Sequence, residues 1–470
     1  MLRELVLGHY KPFREVQRAR CAPITLIVGR NSSGKSSVLG AIDLLRRSYA
    51  SHYGLWLDTV DQPKLLCHRH DTTRAMVLGA TLDDEHGTFS VAFSYRVEDE
   101  TLQATKLAFC GKMKGAAPIE FETTVQASVG EPWFQGEIPL EVAARLHHRE
   151  VTKKLEYLNR ASESFAKQLG KQPSPHPSGL LLNPTPARLV FYPRDKDGSS
   201  CTIVWPRDSL PDDLGVSYND APLRKLLTEV DFEELAQAFN SFAWFEHTAT
   251  PPLRPHPEQL EDETPSTEEL NRINDALGRL GIWYKLGLHT FPNEKKGRVA
   301  ESALRIRDIR LRTTMRLVHV GMGISQILGI LFAAFRSPQP EMLTVQQPEL
   351  HLHPHAQGHF ADLMIKVIEE EITGPSQWIV ETHSEAMISR IQRRVREGRL
   401  SPEKVSVLYV EATPSGSEIR ELRLNEAGDF LDEWPGGFFE ESYRDAVGLA
   451  IEDPKPSPEF EALNELAEVE

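Results

Sequence analysis

The sequence predicts an α/β fold: a mixed sheet with flanking helices, split into two halves by a middle α+β insertion. Three observations carry that expectation. The apolar run Ile24-Thr25-Leu26-Ile27-Val28 stops at a glycine-rich loop, and helical spacing resumes over Ser37 to Leu45. From Ser302 onward apolar strand runs and helical periods alternate again. Between the two, residues 75–130 alternate polar and apolar side chains, as in Thr88 to Tyr95, which is the pattern of an antiparallel sheet.

The elements follow in order. Leu2 to Leu7 starts a first strand, and Ile24 to Val28 is a second. Residues 139–169 read as a charged helix. Two proline-rich stretches, Gln172 to Pro186 and Thr250 to Pro265, read as surface loops, with a helix near Ala221 to Phe242 between them. Then come a strand over Ile306 to Val318, a helix over Ile324 to Phe335 and a buried strand at Met342 to Val345. A helix over Ala356 to Glu371, a strand at Trp378 to Val380, a helix over Glu385 to Glu397 and a strand at Val405 to Val410 complete the pattern. The expected division is 1–130 for the first part of the α/β unit, 131–300 for the insertion, 301–452 for the second part, and 453–470 for an acidic tail.

Composition narrows the function. The 470 residues are 40% hydrophobic and 26% charged, enough for a buried core. A net charge of -15 argues against a general nucleic-acid coat, which needs clustered Lys and Arg. Cys21, Cys67, Cys110 and Cys201 are scattered without a Cys-x-x-Cys pair, so neither a zinc knuckle nor a disulfide framework is expected. The apolar run Ile324 to Phe335 is too short to span a bilayer, and the N-terminus lacks a secretory core, so a cytoplasmic address without membrane contact is expected.

The sharpest chemical signal is Gly29-Arg30-Asn31-Ser32-Ser33-Gly34-Lys35-Ser36, a G-x-x-x-x-G-K-S loop set between a strand and a helix. Glycines let backbone N–H groups face phosphates, and the helix N-terminus from Ser37 onward adds partial positive charge. Lys35 is expected to reach the β- and γ-phosphates, and the Ser36 hydroxyl to ligate Mg²⁺. ATP and Mg²⁺ are therefore the expected cofactors.

The segment Met342-Leu343-Thr344-Val345-Gln346-Gln347-Pro348-Glu349-Leu350-His351-Leu352-His353-Pro354 resembles the Walker B and D-loop region of ABC-class ATPases of the RecF and overcoming-lysogenization-defect type. The resemblance implies a split ABC-type ATPase head. The His351-x-His353-x-His355 spacing also fits a zinc site, but no fourth ligand cluster accompanies it. Glu381-Thr382-His383-Ser384-Glu385 resembles the switch-histidine segment of such heads, which implies a γ-phosphate contact for His383. Val320 to Leu328 looks like a degenerate signature motif, which implies that Ser325 meets ATP held by a second subunit. Residues 421–439 resemble the tail of a bacterial ATPase family of uncharacterised function that shares the Glu-Thr-His-Ser-Glu segment.

The sequence departs from that family where an acid for Mg²⁺ and a catalytic glutamate are expected. Gln346 and Gln347 stand there, and an amide neither takes a proton from water nor binds Mg²⁺ as a carboxylate does. Gln346 is the expected metal position. Gln347 would orient water, and Glu349 or Glu381 would supply the missing carboxylate, with Glu381 the better placed. Tight ATP binding with slow turnover follows.

Partners are implied by the same resemblance. Heads of this type dimerise or form higher homo-oligomers around ATP. The leading expectation is a sensor and scaffold of a bacterial anti-phage system such as the Septu type, acting on a separately encoded effector, a nuclease. The alternatives are a RecF-like DNA repair or chromosome-maintenance ATPase, and a nucleotide-gated scaffold with little hydrolysis. Two arginine runs make nucleic acid a candidate partner: Arg305, Arg307, Arg310, Arg312 and Arg316, and Arg390, Arg393, Arg394, Arg396 and Arg399. The plainer reading of both is a solvated face paired with acids.

Overall fold

The computed structural model describes residues 1–52, 56–57, 62–83, 87–98, 101–113, 119–127, 134–138, 187–191, 201–204, 229–231, 248–251, 256–261, 263–291, 301–337, 340–369 and 371–435. The helices expected over 139–169 and 221–242, the loop expected over 172–186 and the tail 453–470 lie outside these residues, apart from the short strands given below. In chain order the strands are β1 (Leu2–Gly8), β2 (Gln17–Arg20), β3 (Ile24–Val28), β4 (Trp56–Leu57), β5 (Met76–Asp83), β6 (Gly87–Glu98), β7 (Thr101–Met113), β8 (Ile119–Ala127), β9 (Phe134–Ile138) and β10 (Ala187–Phe191). They continue with β11 (Cys201–Val204), β12 (Glu229–Asp231), β13 (Thr248–Ala249), β14 (Tyr284–Phe291), β15 (Glu301–Asp308), β16 (Thr313–Met315), β17 (Met342–Gln346), β18 (Gln377–Glu381), β19 (Val405–Thr413) and β20 (Gly416–Leu422). The helices are α1 (Lys35–His52), α2 (Pro257–Glu261), α3 (Thr267–Arg279), α4 (Met322–Phe335), α5 (Pro354–Ile368) and α6 (Glu385–Arg396).

The chain divides into two compact units. One comprises Met1, Tyr10–Asp43 and His247–Glu470; the other comprises Leu2–His9 and Leu44–Glu246.

The second unit is an antiparallel sheet in the order β12-β11-β10-β9-β8-β7-β6-β5-β1, with β4 against β7. Strand alternation builds it: Phe89, Val91, Phe93 and Tyr95 of β6 are buried while the residues between them are not. The division expected at residue 130 falls inside this sheet. Strand β9 pairs with β8, Val125 opposite Gly136, so the described strands just after residue 130 continue the same layer.

The first unit carries a six-stranded sheet, β13-β17-β18-β3-β19-β20. Strands β17, β18, β3 and β19 are mutually parallel, and β20 returns antiparallel to β19. All five residues of β3 and of β18 are buried, which is why these strands read as unbroken apolar runs. The early strand β3 thus sits between two strands that come more than three hundred residues later. Trp378 is fully buried, with Phe360 of α5 edge-on to it at 5.8 Å. Apolar residues of α6, Met387, Ile388, Ile391 and Val395, belong to the same core.

Two expectations for this unit change. The single strand expected over Ile306 to Val318 is a hairpin, β15 and β16, in a three-stranded sheet with β14. The Asp308 carboxylate breaks it: Oδ1 accepts from the backbone N–H of Arg310 at 2.8 Å and of Leu311 at 3.1 Å, and Arg312 takes φ of 55°. The stretch Thr250 to Pro265 is not loop throughout, because Pro257–Glu261 forms the short helix α2. Helix α3 begins at a capping box in which Ser266 and Glu269 exchange hydrogen bonds. No helix of the described residues is long and apolar enough to cross a membrane.

Candidate functional site

The site is built where parallel strands end in the first unit. After Val28 the chain turns sharply at Gly29, whose φ is 147°; a Cβ there would stand 2.3 Å from the Val410 carbonyl oxygen of β19. Gly34 has φ of 103°, and a Cβ would meet Pro12 at 2.6 Å. Only glycine suits both places, since both the backbone angle and the space exclude a side chain. Between them Arg30, Asn31 and Ser32 are exposed, and Ser33 is fully buried with its hydroxyl unpartnered among the described residues. Helix α1 begins at Lys35, so the first-turn amides of Lys35, Ser36 and Ser37 lie at the loop's end, with the Ser37 N–H turned back to the Gly34 carbonyl at 3.0 Å.

Lys35 is only 4% exposed. Its ammonium donates to the carbonyls of Gly29 at 3.1 Å and Arg30 at 2.7 Å. Burial lowers its pKa, while the carboxyls of Glu381 and Glu349 oppose that shift.

Glu381 closes the site from the neighbouring strand. It ends β18, opposite Ile27 of β3 on one side and Gln346 of β17 on the other. The Ser36 hydroxyl donates to Glu381 Oε1 at 3.0 Å. The other carboxyl oxygen, Oε2, is buried with no hydrogen-bond partner among the described residues. Burial raises the Glu381 pKa, and Ser36 and Lys35 hold it down in part.

Glu349 does a different job. Its Oε1 accepts from the His383 backbone N–H at 2.6 Å and its Oε2 from the Thr382 hydroxyl at 2.9 Å. Burial raises its pKa against those bonds. Both oxygens are therefore spoken for by the turn after β18, and Glu349 is the tie that sets where His383 sits. Burial lowers the His383 pKa, and the Lys35 charge lowers it further, so the imidazole is held neutral.

Gln347 links three elements. Its backbone N–H donates to the Glu381 carbonyl at 2.7 Å, and its carbonyl accepts from the buried Gln326 side chain of α4 at 3.0 Å. It holds φ of 44°, an uncommon state for a residue with a side chain. Gly323, one turn earlier on α4, lies so close to the same segment that a Cβ would stand 2.5 Å from the His351 carbonyl oxygen. Gln357 of α5 binds the Leu352 carbonyl at 2.9 Å and accepts from the Ser384 hydroxyl at 2.7 Å, pinning the N-termini of α5 and α6 together.

The sequence-derived residues thus converge in part. Lys35 and Ser36 of the glycine loop come together with Glu381, Gln346 and Gln347 border Glu381, and His383 lies beside Glu349. Ser325 does not join them: it is buried on α4, and no hydrogen bond among the described residues links it to the loop. Sequence reasoning missed Gln326 and Gly323; their signal was faint, a glutamine and a small residue flanking Ser325. His353 caps α5 by accepting from the His355 N–H at 3.2 Å, which accounts for it without a metal. Among the described residues no group of three or more His, Cys, Asp or Glu side chains is placed to hold a metal ion.

The arginine runs follow the plainer reading. Arg390 and Arg394 both bind Asp362, Arg393 and Arg394 bind Glu397, and Arg396 binds Asp429. In the earlier run Arg305 and Arg316 share buried Glu261, and Arg310 binds Asp308. Most of these arginines thus have an acidic partner among the described residues.

The donor set fits a magnesium nucleotide. A hydroxyl and a carboxylate oxygen are the hard ligands Mg²⁺ prefers. The unpartnered buried atoms, Ser33 Oγ and Glu381 Oε2, are the kind of groups a bound phosphate and cation satisfy.

Comparison with known proteins agrees at the level of the domain. Residues 226–388 match the family model described as AAA ATPase domain, and residues 400–449 match the model described as protein of unknown function (DUF3696). The first match covers the signature-like, β17 and β18 regions, and the second covers the tail region that the sequence had singled out. No curated protein matches the chain. Among solved structures, the SMC head domain from Thermotoga maritima aligns over 90% of this chain and 99% of its own, with 11% identity and a TM-score of 0.39. The SmcHead bound to the C-winged helix domain of ScpA aligns over 91% and 98%, with 11% identity and a TM-score of 0.41. The Smc head domain with a coiled coil and joint from Pyrococcus yayanosii gives 91% and 98%, 10% and 0.41.

Proposed function

We propose that the chain binds ATP with Mg²⁺ at Gly29 to Ser36 as an ABC-class head and hydrolyses it slowly, with Glu381 in the role left open by Gln346 and Gln347. One observation carries this reading: Glu381 shares a hydrogen bond with Ser36, faces Gln346 across the sheet, and keeps a buried oxygen unpartnered. Backbone amides of the loop and the Lys35 ammonium would hold the phosphates. Ser36 Oγ and Glu381 would hold Mg²⁺, with the Gln346 amide oxygen beside them. Bound Mg²⁺ neutralises charge on the β- and γ-phosphates during transfer. Gln347 would orient the attacking water, and neutral His383 would hydrogen-bond the γ-phosphate. A carboxylate already engaged with a cation is a poor proton acceptor, and this is the physical ground for slow turnover.

The test measures nucleotide affinity and phosphate release together. Lys35→Ala should lose at least tenfold in ATP affinity. Glu381→Gln should keep the fold but lose Mg²⁺-dependent turnover by about a hundredfold, and Gln347→Glu should raise turnover. Undiminished hydrolysis in Glu381→Gln would remove Glu381 from the site.

At the level of biology, we propose ATP-dependent pairing of two heads and regulation of a separately encoded effector, a nuclease, within an anti-phage system. The resemblance of Met342 to Pro354 to ABC-class ATPases of the RecF and overcoming-lysogenization-defect type, and of Glu381 to Glu385 to the switch-histidine segment of such heads, supports it. A nuclease gene beside this one, whose product copurifies in an ATP-dependent manner, is the expected finding; a repair operon in that place would favour the DNA-maintenance reading.

A further inference from the structure

Helix α5 carries two histidines whose arrangement the nucleotide site does not use. His355 and His359 lie one turn apart on the same helical face. Their Nε2 atoms stand 3.2 Å apart, with ring centroids at 4.3 Å and planes inclined by 45°. His355 is exposed and His359 half-buried.

The short Nε2–Nε2 approach places one proton between the two rings: one Nε2 donates and the other presents its lone pair.

We propose that His355 and His359 form a two-imidazole clip for a first-row transition dication of the zinc, copper or nickel class. The dimensions suit it. Two metal–nitrogen bonds of about 2.0–2.1 Å across a 3.2 Å gap require an N–metal–N angle of about 100–106°, close to tetrahedral. Imidazole nitrogens select these metals over Mg²⁺, so the clip does not compete for the nucleotide's cation. With two protein ligands and the outer face open at exposed His355, water or a solution anion fills the other positions. Binding is therefore exchangeable, unlike that of a closed structural zinc site. No electron transfer is involved. The proton held on the donating Nε2 moves through solvent to Nδ1 of the same ring, both Nε2 lone pairs go to the metal, and none is released.

The groups facing His359 keep its ring available. Burial, His355 and the Arg390 guanidinium of α6 all lower its pKa, and the Asp362 carboxylate opposes them. A proton on His359 Nε2 competes with the metal. The consequence for the fold is local: a loaded clip staples the first two turns of α5, which start at Pro354 directly after the Gln347 to His353 segment.

The experiment uses the full chain, stripped with EDTA and free of nucleotide. Cu²⁺ is read by electron paramagnetic resonance and Zn²⁺ by calorimetry and thermal shift. Wild type should show a copper signal with nitrogen coupling and a zinc-dependent rise in Tm. His355→Gln and His359→Gln should each lose one metal equivalent, or at least tenfold in affinity, with ATP affinity and helical circular dichroism unchanged. Unaltered stoichiometry and affinity in both variants, or no zinc uptake by wild type, would overturn the proposal and leave the contact as an N–H···N hydrogen bond alone. Because ATP binding is read separately, failure of the clip leaves the nucleotide reading intact.

Discussion

Glu381 sets how the site responds to acid. Burial raises its pKa above the ordinary glutamate value of 4.5. A proton on Glu381 competes with Mg²⁺, so Mg²⁺-dependent ATP affinity should fall as pH drops, at a midpoint above that value. Glu381→Gln should flatten this limb of the profile; a titration in which variant and wild type coincide would count against the assignment. Stability without ligand runs the other way. A carboxyl whose folded pKa is raised binds its proton more tightly in the folded state. Glu349 and Glu381 therefore stabilise the fold most below pH 4.5, and that contribution is lost as pH climbs through their raised values. At this scale the glycine loop was fully legible, because its motif is local. The division of labour between Glu349 and Glu381 was not, because it depends on which oxygens the turn after β18 occupies.

Between elements, the contact of α4 with the end of β17 is the feature to probe. Gln326→Leu keeps the shape but leaves the Gln347 carbonyl without its donor, a cost of about 1–3 kcal/mol if that carbonyl stays dry. Gly323→Ala forces α4 away from His351 by several tenths of an ångström. Both variants should lower Tm by a few degrees and reduce phosphate release more than ATP affinity, because the tie reaches the backbone of Glu381 through Gln347. Equal losses in binding and turnover would mean that α4 only supports the fold. The element reading from sequence succeeded where strands are buried on both faces, as in β3, β17 and β18. It failed at β15 because periodicity cannot see a side chain folding back on its own backbone. Asp308 does so two and three residues ahead, and the arginines expected along one strand are spread over a turn.

For the molecule as a whole, the position of Ser325 bears on assembly. It is buried on α4, and no hydrogen bond among the described residues ties it to the glycine loop of its own chain. Ser325→Ala should leave ATP affinity within threefold and weaken an ATP-dependent dimer in light scattering; a monomer in the wild type with saturating ATP and Mg²⁺ would sink the pairing hypothesis. The split α/β unit was readable because strand–loop–helix patterns appear at both ends of the chain. The extent of the antiparallel layer was not, since nothing in the sequence near residue 130 says that β8 keeps a neighbour in β9.

The central position of β3 has a consequence during synthesis. Its hydrogen-bonding edges are met by Trp378–Glu381 on one side and Val405–Tyr409 on the other. The ribosome therefore releases the glycine loop long before either flank exists, and bringing such distant segments together is slow. Until then a highly apolar segment lacks both of its sheet neighbours. A nascent chain stalled before residue 377 should be sensitive to protease at Ile24 to Val28 and unable to retain ATP.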